Sequence, residues 1–368
     1  MNGSDSFAAE LAALGESISD VLSAVSTRRA VHEYGGGRNQ HDKELWRQAA
    51  ELGWLGIGLP EALGGLGLGQ AGLDVLHRAL GRWLAPGPFI ATLSAAQWIS
   101  DVAGDEHGAL VARIVAGDLT VAVPAGNGQN DLALIDGRIR GTSPVLLGAD
   151  DIGLVITPVA DEEGGILWAL VEPHTGFNIL KMWDETRHAG TIEFDGSETV
   201  SILRRAEGAG QLLSRQIALA LAGDSMGGAE AISDQTVEYL KTRVQFDRPV
   251  GSFQAVKHRA ADLFALIATN ECLLDQAVET ADERAAHADM WSSLAKAGCT
   301  DAYVSIATDC LELHGGIGFT WEYDAHLFLR RARFNQALGR SSREEYDIAA
   351  ARLADVTYSG LSTTELAR

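Results

Sequence analysis

The stretch "RVQFDRPVGSFQAVKHRAADLF", residues 243–264, interrupts two long helical readings with a cationic turn. Upstream, "GQLLSRQIALALAGDSMGGAEAISDQTVEYLKTRV" (210–244) carries an apolar stripe at helical spacing, and downstream "FQAVKHRAADLFALIATNECLLDQAV" (253–278) begins another long helix. Pro249 and Gly251 mark the break between them. Arg243 closes the first helix and Arg248 lies inside the turn; each offers a planar fork suited to phosphate oxygens. Phe246 offers a flat apolar face, and Gln254 both a donor and an acceptor. Plainer roles remain open for the same residues. An arginine at a helix C-terminus complements the macrodipole, and Phe246 is also readable as core.

About fifty residues on, "LELHGGIGFTWEYDAHLFLRRA" (311–332) places Gly315 and Gly316 where a helix would otherwise continue. Glycines there let backbone N–H groups approach a pyrophosphate closely. The alternative is a simple helix C-cap.

Working outward, the chain has three textures. Residues 1–117 are rich in Ala, Leu and Glu at helical spacing. "DKELWRQAAELGWLGIGL" (42–59) sets Leu45, Trp46, Ala49, Leu52 and Leu55 on roughly one helix face, and the glycine-rich "PEALGGLGLG" turns the chain. Residues 118–205 hold short β-branched runs such as "LALIDGRIRG" and "IGLVIT", separated by turn residues such as Asp136-Gly137. They predict a small antiparallel β domain. Residues 206–368 return to helical texture and predict a four-helix bundle, giving an α+β protein overall.

Composition narrows the function classes. The chain has 368 residues, 46% of them hydrophobic, enough for two or three packed domains. A formal net charge of -21 argues against nucleic acid or an anionic membrane as partner, although a local basic cluster still suits an anionic ligand. The three cysteines, Cys272, Cys299 and Cys310, have neither disulfide-framework nor metal spacing. The N-terminus lacks the basic and apolar regions of a signal peptide, and no apolar run reaches about 20 residues, so the expected location is the cytoplasm.

"RVQFDRPVGSFQAVKHRAAD" followed by "LHGGIGFTWEYDAHLFLRRA" resembles the acyl-CoA dehydrogenase family. "ELGWLGIGLPEALGGLGLG" (51–69) is similar to the family's first-domain helix and loop, and "DETRHAGTIEFDG" (184–196) to the strand pair that ends its β domain. The resemblance covers nearly the whole chain. It implies an N-terminal α domain, a middle β domain and a C-terminal four-helix bundle. It also implies FAD as cofactor and oxidation of an acyl-CoA thioester between Cα and Cβ, with a carboxylate taking the α-proton. By the same likeness Arg243, Phe246, Gln254, Gly315 and Gly316 contact the ADP half of an FAD bound mainly by a neighbouring subunit.

The chain departs from the family pattern in three places. Its β loop reads "AVPAGNGQND" (122–131), without the Thr-Glu and Ser-Asp parts that face the flavin, and "TSPVLLGADD" (142–151) replaces a Trp-Ile-Thr-like stretch. At the two usual places for the base stand Leu338 or Gly339 and, on the first long C-terminal helix, Ile217 and Ala218, none of which accepts a proton. No catalytic residue is therefore assigned. Glu344 and Glu345 read as an exposed first turn of a helix, and Asp224 as a buried polar packing residue. Third, Glu312 stands where the family commonly has Gln, and Asp247 where it has Gly, adding negative charge beside the expected pyrophosphate. These departures imply a subunit that completes the FAD site of a homologous catalytic subunit in an α2β2 assembly. An electron-transfer flavoprotein-like acceptor and a bulky, steroid-type acyl-CoA are expected with it. Alternatives are a self-sufficient homo-oligomer, a non-catalytic structural subunit, or another flavin oxidation on the same fold.

Overall fold

The computed structural model describes residues 3–24, 42–102, 107–126, 131–148, 152–174, 176–198, 201–203 and 208–358. In chain order the elements run helical, then β, then helical. They group into two compact units. One comprises Met1–Arg28, Asp74–Ala85 and Ala218–Arg368; the other comprises Arg29–Leu73 and Pro86–Ile217. The expected boundary at 205/206 lies outside the described residues.

The second unit holds the sheet and short helices. Helix α2 (Lys43–Glu51; α1 is Gly3–Ala24 of the first unit) is started by Asp42, whose Oδ1 accepts from the Glu44 and Leu45 amides at 3.0 Å. Leu45, Trp46 and Ala49 are buried as their spacing predicts, and the Trp46 indole donates to the Gly117 carbonyl at 3.0 Å. Leu52 departs from that face: the helix ends at Glu51, Gly53 takes φ +77°, and Leu52 is left 51% exposed. Helix α3 (Gly69–Arg82) enters the first unit; α4 (Phe89–Val102) and α5 (Gly108–Val115) complete the helices before the sheet.

Ten strands form one sheet among the described residues. They are β1 (Val121–Pro124), β2 (Ala133–Ile135), β3 (Arg138–Thr142), β4 (Leu146–Leu147), β5 (Leu154–Ala160), β6 (Ile166–Val171), β7 (Asn178–Ile179), β8 (Ala189–Thr191), β9 (Glu193–Glu198) and β10 (Ser201–Leu203). The β2–β3 hairpin turns at Asp136-Gly137, with both residues at positive φ (51° and 74°) and Ile135 paired to Arg138. This is the two-residue turn that Asp-Gly favours, because its twist matches that of the strands. The expectation of an antiparallel domain needs correction: β5 pairs in parallel with both β1 and β2. Alternation sets which face a residue takes, but not the direction of the neighbouring strand, so the sheet is mixed. Ile139, Leu146, Val155 and Phe194 fill its core.

The first unit is built on three long helices: α6 (Ala209–Thr242, whose first residues belong to the second unit), α7 (Gln254–Asp282) and α8 (Ala288–His314). The fourth bundle position is filled by two pieces, α9 (Ala325–Ala337) and α10 (Ser342–Tyr358). Both pack on α8, which also packs on α7. Helices α3 and α6 meet backbone to backbone. A Cβ on Gly81 would fall 1.9 Å from the Asp224 carbonyl oxygen, and one on Gly227 would fall 1.9 Å from that of Arg78, so only glycine fits at either place. Beside this contact Asp224 is fully buried and bound to Arg331 at 3.0 Å and to the Asn335 amide at 2.7 Å. Arg331 also donates to the Ala85 carbonyl at 3.2 Å, so one guanidinium ties α9 to α6 and to the end of α3. The packing role expected of Asp224 thus takes the form of a buried ion pair.

Candidate functional site

The cationic turn is a two-stranded hairpin, β11 (Val244–Gln245) and β12 (Arg248–Pro249), followed by a 3-10 turn over Val250–Ser252. Val244 faces Pro249 and Gln245 faces Arg248, so Phe246 and Asp247 are the two loop residues, at φ 53° and 60°. Neither is glycine, and holding a phenylalanine there costs on the order of 1–3 kcal/mol. At the tip of the hairpin Phe246 is 86% exposed, which rules out its reading as core. The hairpin is braced from both sides. The Val250 amide donates to the Arg243 carbonyl at 2.8 Å, and the Arg248 guanidinium lies 3.9 Å above the Phe253 ring, a cation–π contact. Phe253 is the N-cap residue of α7, which puts Gln254, exposed, in that helix's first turn.

The glycine element sits at the end of α8. The Gly315 amide donates to the Glu312 carbonyl, and Gly315 takes φ 66°, ψ -149°, a conformation open in practice only to glycine. The C-cap role is therefore present. A Cβ on Gly315 or on Gly316 would nevertheless meet nothing within 4 Å, and both residues are exposed, so the backbone here is open to an approaching group.

Residues that the sequence did not single out join the two elements. Tyr239, one turn before Arg243, stacks on His314 with ring centres 4.6 Å apart and donates to the His314 carbonyl at 3.3 Å. Tyr323 completes a three-ring cluster, 4.8 Å from His314 and edge-on to Tyr239 at 5.7 Å. His314 is buried, and its Nδ1 faces the Cys310 carbonyl at 2.7 Å, so that nitrogen carries the proton. Burial pushes its pKa below the usual histidine value, against the opposing pull of the Cys310 carbonyl. Glu312, expected to repel an anion, is bound to Arg259 at 2.9 Å; the same nitrogen reaches Asp309 at 2.6 Å.

Arg243, Phe246, Gln254, Gly315 and Gly316 are all exposed at this end of the unit. Their chemistry suits the ADP half of a dinucleotide: a guanidinium for phosphate, a free aromatic face, an amide for a base or ribose edge, and open glycine backbone. FAD therefore fits the residues present. Of the two atypical stretches expected to face a flavin, β1 ends at Pro124, and residues 127–130 and 149–151 lie outside the described residues.

No carboxylate stands at the two places where the family resemblance puts a base. Ile217, Ala218 and Leu338 are buried apolar residues, and Gly339 has φ +73° with open space at its Cβ. Ser341 and Glu344 cap α10 reciprocally: Glu344 accepts from the Ser341 amide at 2.8 Å and from its hydroxyl at 2.7 Å. These bonds hold the Glu344 carboxyl below the usual range. Glu345 corrects the expectation of an exposed pair, being only 3% exposed. It lies about 100° further round the helix and so turns inward. There Arg340 reaches it at 3.5 Å, and its charge supports the buried Lys296 ammonium, whose pKa burial pushes down.

The chain matches the family "Acyl-CoA dehydrogenase, N-terminal domain" over residues 9–107 and "Acyl-CoA dehydrogenase, C-terminal domain" over 215–353, most of its length. It is 29% identical to the acyl-CoA dehydrogenase IpdE2 of Mycobacterium tuberculosis over 90% of this chain and 93% of that protein. With the acyl-CoA dehydrogenase FadE34 of the same organism it shares 31% identity over 87% of its own length, but spans only 44% of that longer protein. Among solved structures it superposes on the Tcur3481-Tcur3483 steroid ACAD with TM-score 0.86 at 25% identity, covering 96% of this chain and 99% of that one. The ChsE4-ChsE5 complex of M. tuberculosis gives 0.83 at 26%, covering 94% and 97%. Two domain matches that bracket the sheet, on a fold shared almost end to end, make this chain a member of the acyl-CoA dehydrogenase family, FAD-dependent oxidoreductases that act on acyl-CoA.

Proposed function

We propose that this chain is the site-completing subunit of a heteromeric acyl-CoA dehydrogenase, lending its ADP-half residues to an FAD held mainly by a homologous catalytic subunit. The carrying observation is an asymmetry. The hairpin and glycine turn are braced and turned outward, with Phe246 86% exposed, while apolar residues stand at both usual base positions. In this reading Arg243 takes a phosphate, Phe246 packs on a ring of the cofactor, Gln254 takes a base or ribose edge, and Gly315 and Gly316 offer backbone to the diphosphate. Bound FAD supplies the two-electron acceptor for α,β-dehydrogenation. The acyl pocket and the base belong to the partner, and electrons pass on to an electron-transfer flavoprotein-like acceptor. The likeness to a steroid ACAD and to the ChsE4-ChsE5 complex favours a bulky, steroid-type acyl-CoA and an α2β2 assembly.

The test is a count of flavins. Flavin absorbance per mole of chain should be low for the chain expressed alone and should approach one FAD per pair of unlike chains when it is purified with its natural partner. Near-stoichiometric FAD in a homo-oligomer that turns over acyl-CoA would overturn the heteromer reading.

A further inference from the structure

Resting on the reading of the hairpin and glycine turn as a dinucleotide half-site, we propose that Arg259 is a positioning residue that sets the charge of that half-site. By holding Asp309 and Glu312 together, it keeps the Glu312 carboxylate from repelling the diphosphate at Gly315-Gly316.

The geometry is specific. Arg259 lies near the start of α7, and Asp309 and Glu312 lie three residues apart on α8, on one helix face. A single nitrogen, Nη2, donates to both, at 2.6 and 2.9 Å. Glu312 also accepts the Gly315 amide through its backbone carbonyl, so its side chain belongs to the turn that opens into the glycines. With Arg259 present the three side chains sum to one negative charge; without it they sum to two, next to the place where an anion is to bind. The pair also fixes where the Glu312 charge points, since a carboxylate bonded to α7 is not free to swing towards the glycines.

Exposure sets the size of the effect. The Arg259 and Glu312 side chains are 40% and 60% exposed, so solvent screens them in the free chain. A bound dinucleotide excludes part of that water, and the same charges then act across a lower dielectric. The influence of Arg259 therefore falls on binding more than on folding.

Affinity for FAD, read by quenching of flavin fluorescence, tests this on the full-length chain and on the complex that co-purifies with it. Arg259→Ala should weaken binding about three- to tenfold, the order of one partly screened charge. Glu312→Gln keeps an oxygen for Arg259 but loses the charge, so it should tighten binding about two- to fivefold. In the Arg259→Ala background the same change should restore most of the loss, and Arg259→Lys should rescue in part. All these differences should shrink in about 1 M salt, where charges are screened within about 3 Å. A purely structural role for the pair predicts no gain from Glu312→Gln. If Arg243→Ala weakens binding while Arg259→Ala and Glu312→Gln leave it unchanged, the inference fails and the half-site reading stands. If Arg243→Ala also has no effect, or wild-type chain in neither preparation binds FAD, both fail.

Discussion

Tyr239 and His314 stack with ring centres 4.6 Å apart and 22° between their planes, and through this contact the end of α6 and the end of α8 hold one another. Arg243 follows Tyr239 by one helical turn, and Gly315 follows His314 directly, so the contact fixes both halves of the proposed cradle at once. Tyr239→Phe keeps the ring and loses the 3.3 Å bond to the His314 carbonyl. It should lower stability by about 0.5–1.5 kcal/mol in urea unfolding, with FAD content of the complex little changed. Tyr239→Ala removes the stack as well and should reduce both.

Arg243→Ala should weaken FAD retention in the assembled complex. Loss of a charge-assisted phosphate contact costs about 1.5–3 kcal/mol, roughly ten- to over a hundredfold in affinity. Equilibrium dialysis of variant and parent complexes reads this directly; unchanged retention would reduce Arg243 to a helix-end residue.

The buried pair of Asp224 and Arg331 makes a stability prediction. Arg331→Met removes the guanidinium from a carboxylate sealed in the bundle and should cost about 3–5 kcal/mol in chemical denaturation. Adding Asp224→Leu should recover part of that, because an apolar pair avoids the desolvation of two charges. A double variant no more stable than Arg331→Met would show that the loss comes from packing rather than charge.

A pH dependence follows from the carboxylates around Arg78. From α3, Arg78 contacts Asp74 at 2.7 Å, Glu230 of α6 at 3.6 Å, and Glu271 and Asp275 of α7 at 3.5 and 3.1 Å, while Arg82 reaches Glu230 and Asp234. Burial, and a hydrogen bond with Glu271, push the Glu230 pKa up to about 7 from 4.5. The folded chain thus holds this proton more tightly than the unfolded chain. The stability it contributes is complete below about pH 4.5 and is lost as pH rises through about 7. Thermal midpoints measured between pH 5 and 8 should fall less steeply in Glu230→Gln than in the parent; identical slopes would show that Glu230 titrates normally.

Glu344→Gln and Glu345→Gln should separate capping and packing from catalysis. Removing a positioned general base lowers turnover about 100- to 10,000-fold. Glu344 is a helix cap, so its change should leave turnover of the complex nearly intact and cost at most about 1 kcal/mol of stability. Glu345→Gln removes a counter-charge from the buried Lys296 and should lower the melting temperature, with turnover per folded complex retained. A hundredfold fall in turnover from either change, at unaltered FAD content, would make this chain catalytic.

The long helices, the Asp136-Gly137 hairpin and the outward-facing turn at 243–254 are legible in the sequence because each rests on local rules: apolar period, turn chemistry and proline placement. The strand directions are not. One edge of β5 pairs antiparallel with β6 while the other pairs in parallel with β1 and β2, and nothing in its alternation distinguishes that from the reverse. Glu345 misled for a related reason. Two adjacent glutamates at a helix start look alike in one dimension, yet 100° of helical rotation sends one to solvent and the other against Lys296. The Tyr239–His314 contact and the hold of Arg259 on Glu312 join residues 75 and 53 positions apart, a separation that no local spacing encodes.

The turn between α9 and α10 is gripped from behind. Lys296 of α8 donates to the carbonyls of Gln336 and Arg340 at 3.3 and 2.5 Å, while Asp301 accepts from Gln336 and Ser342 at 2.7 and 2.6 Å. Every one of these anchors lies to either side of Leu338 and Gly339, and none uses the side chain of either. The place where the family resemblance puts the base is thus mechanically decoupled from its own residue. A side chain can therefore be exchanged there without loosening the bundle, but not every residue fits with equal ease. Gly339 takes a left-handed backbone, φ +73°, so a glutamate placed there would first have to bend the turn away from it.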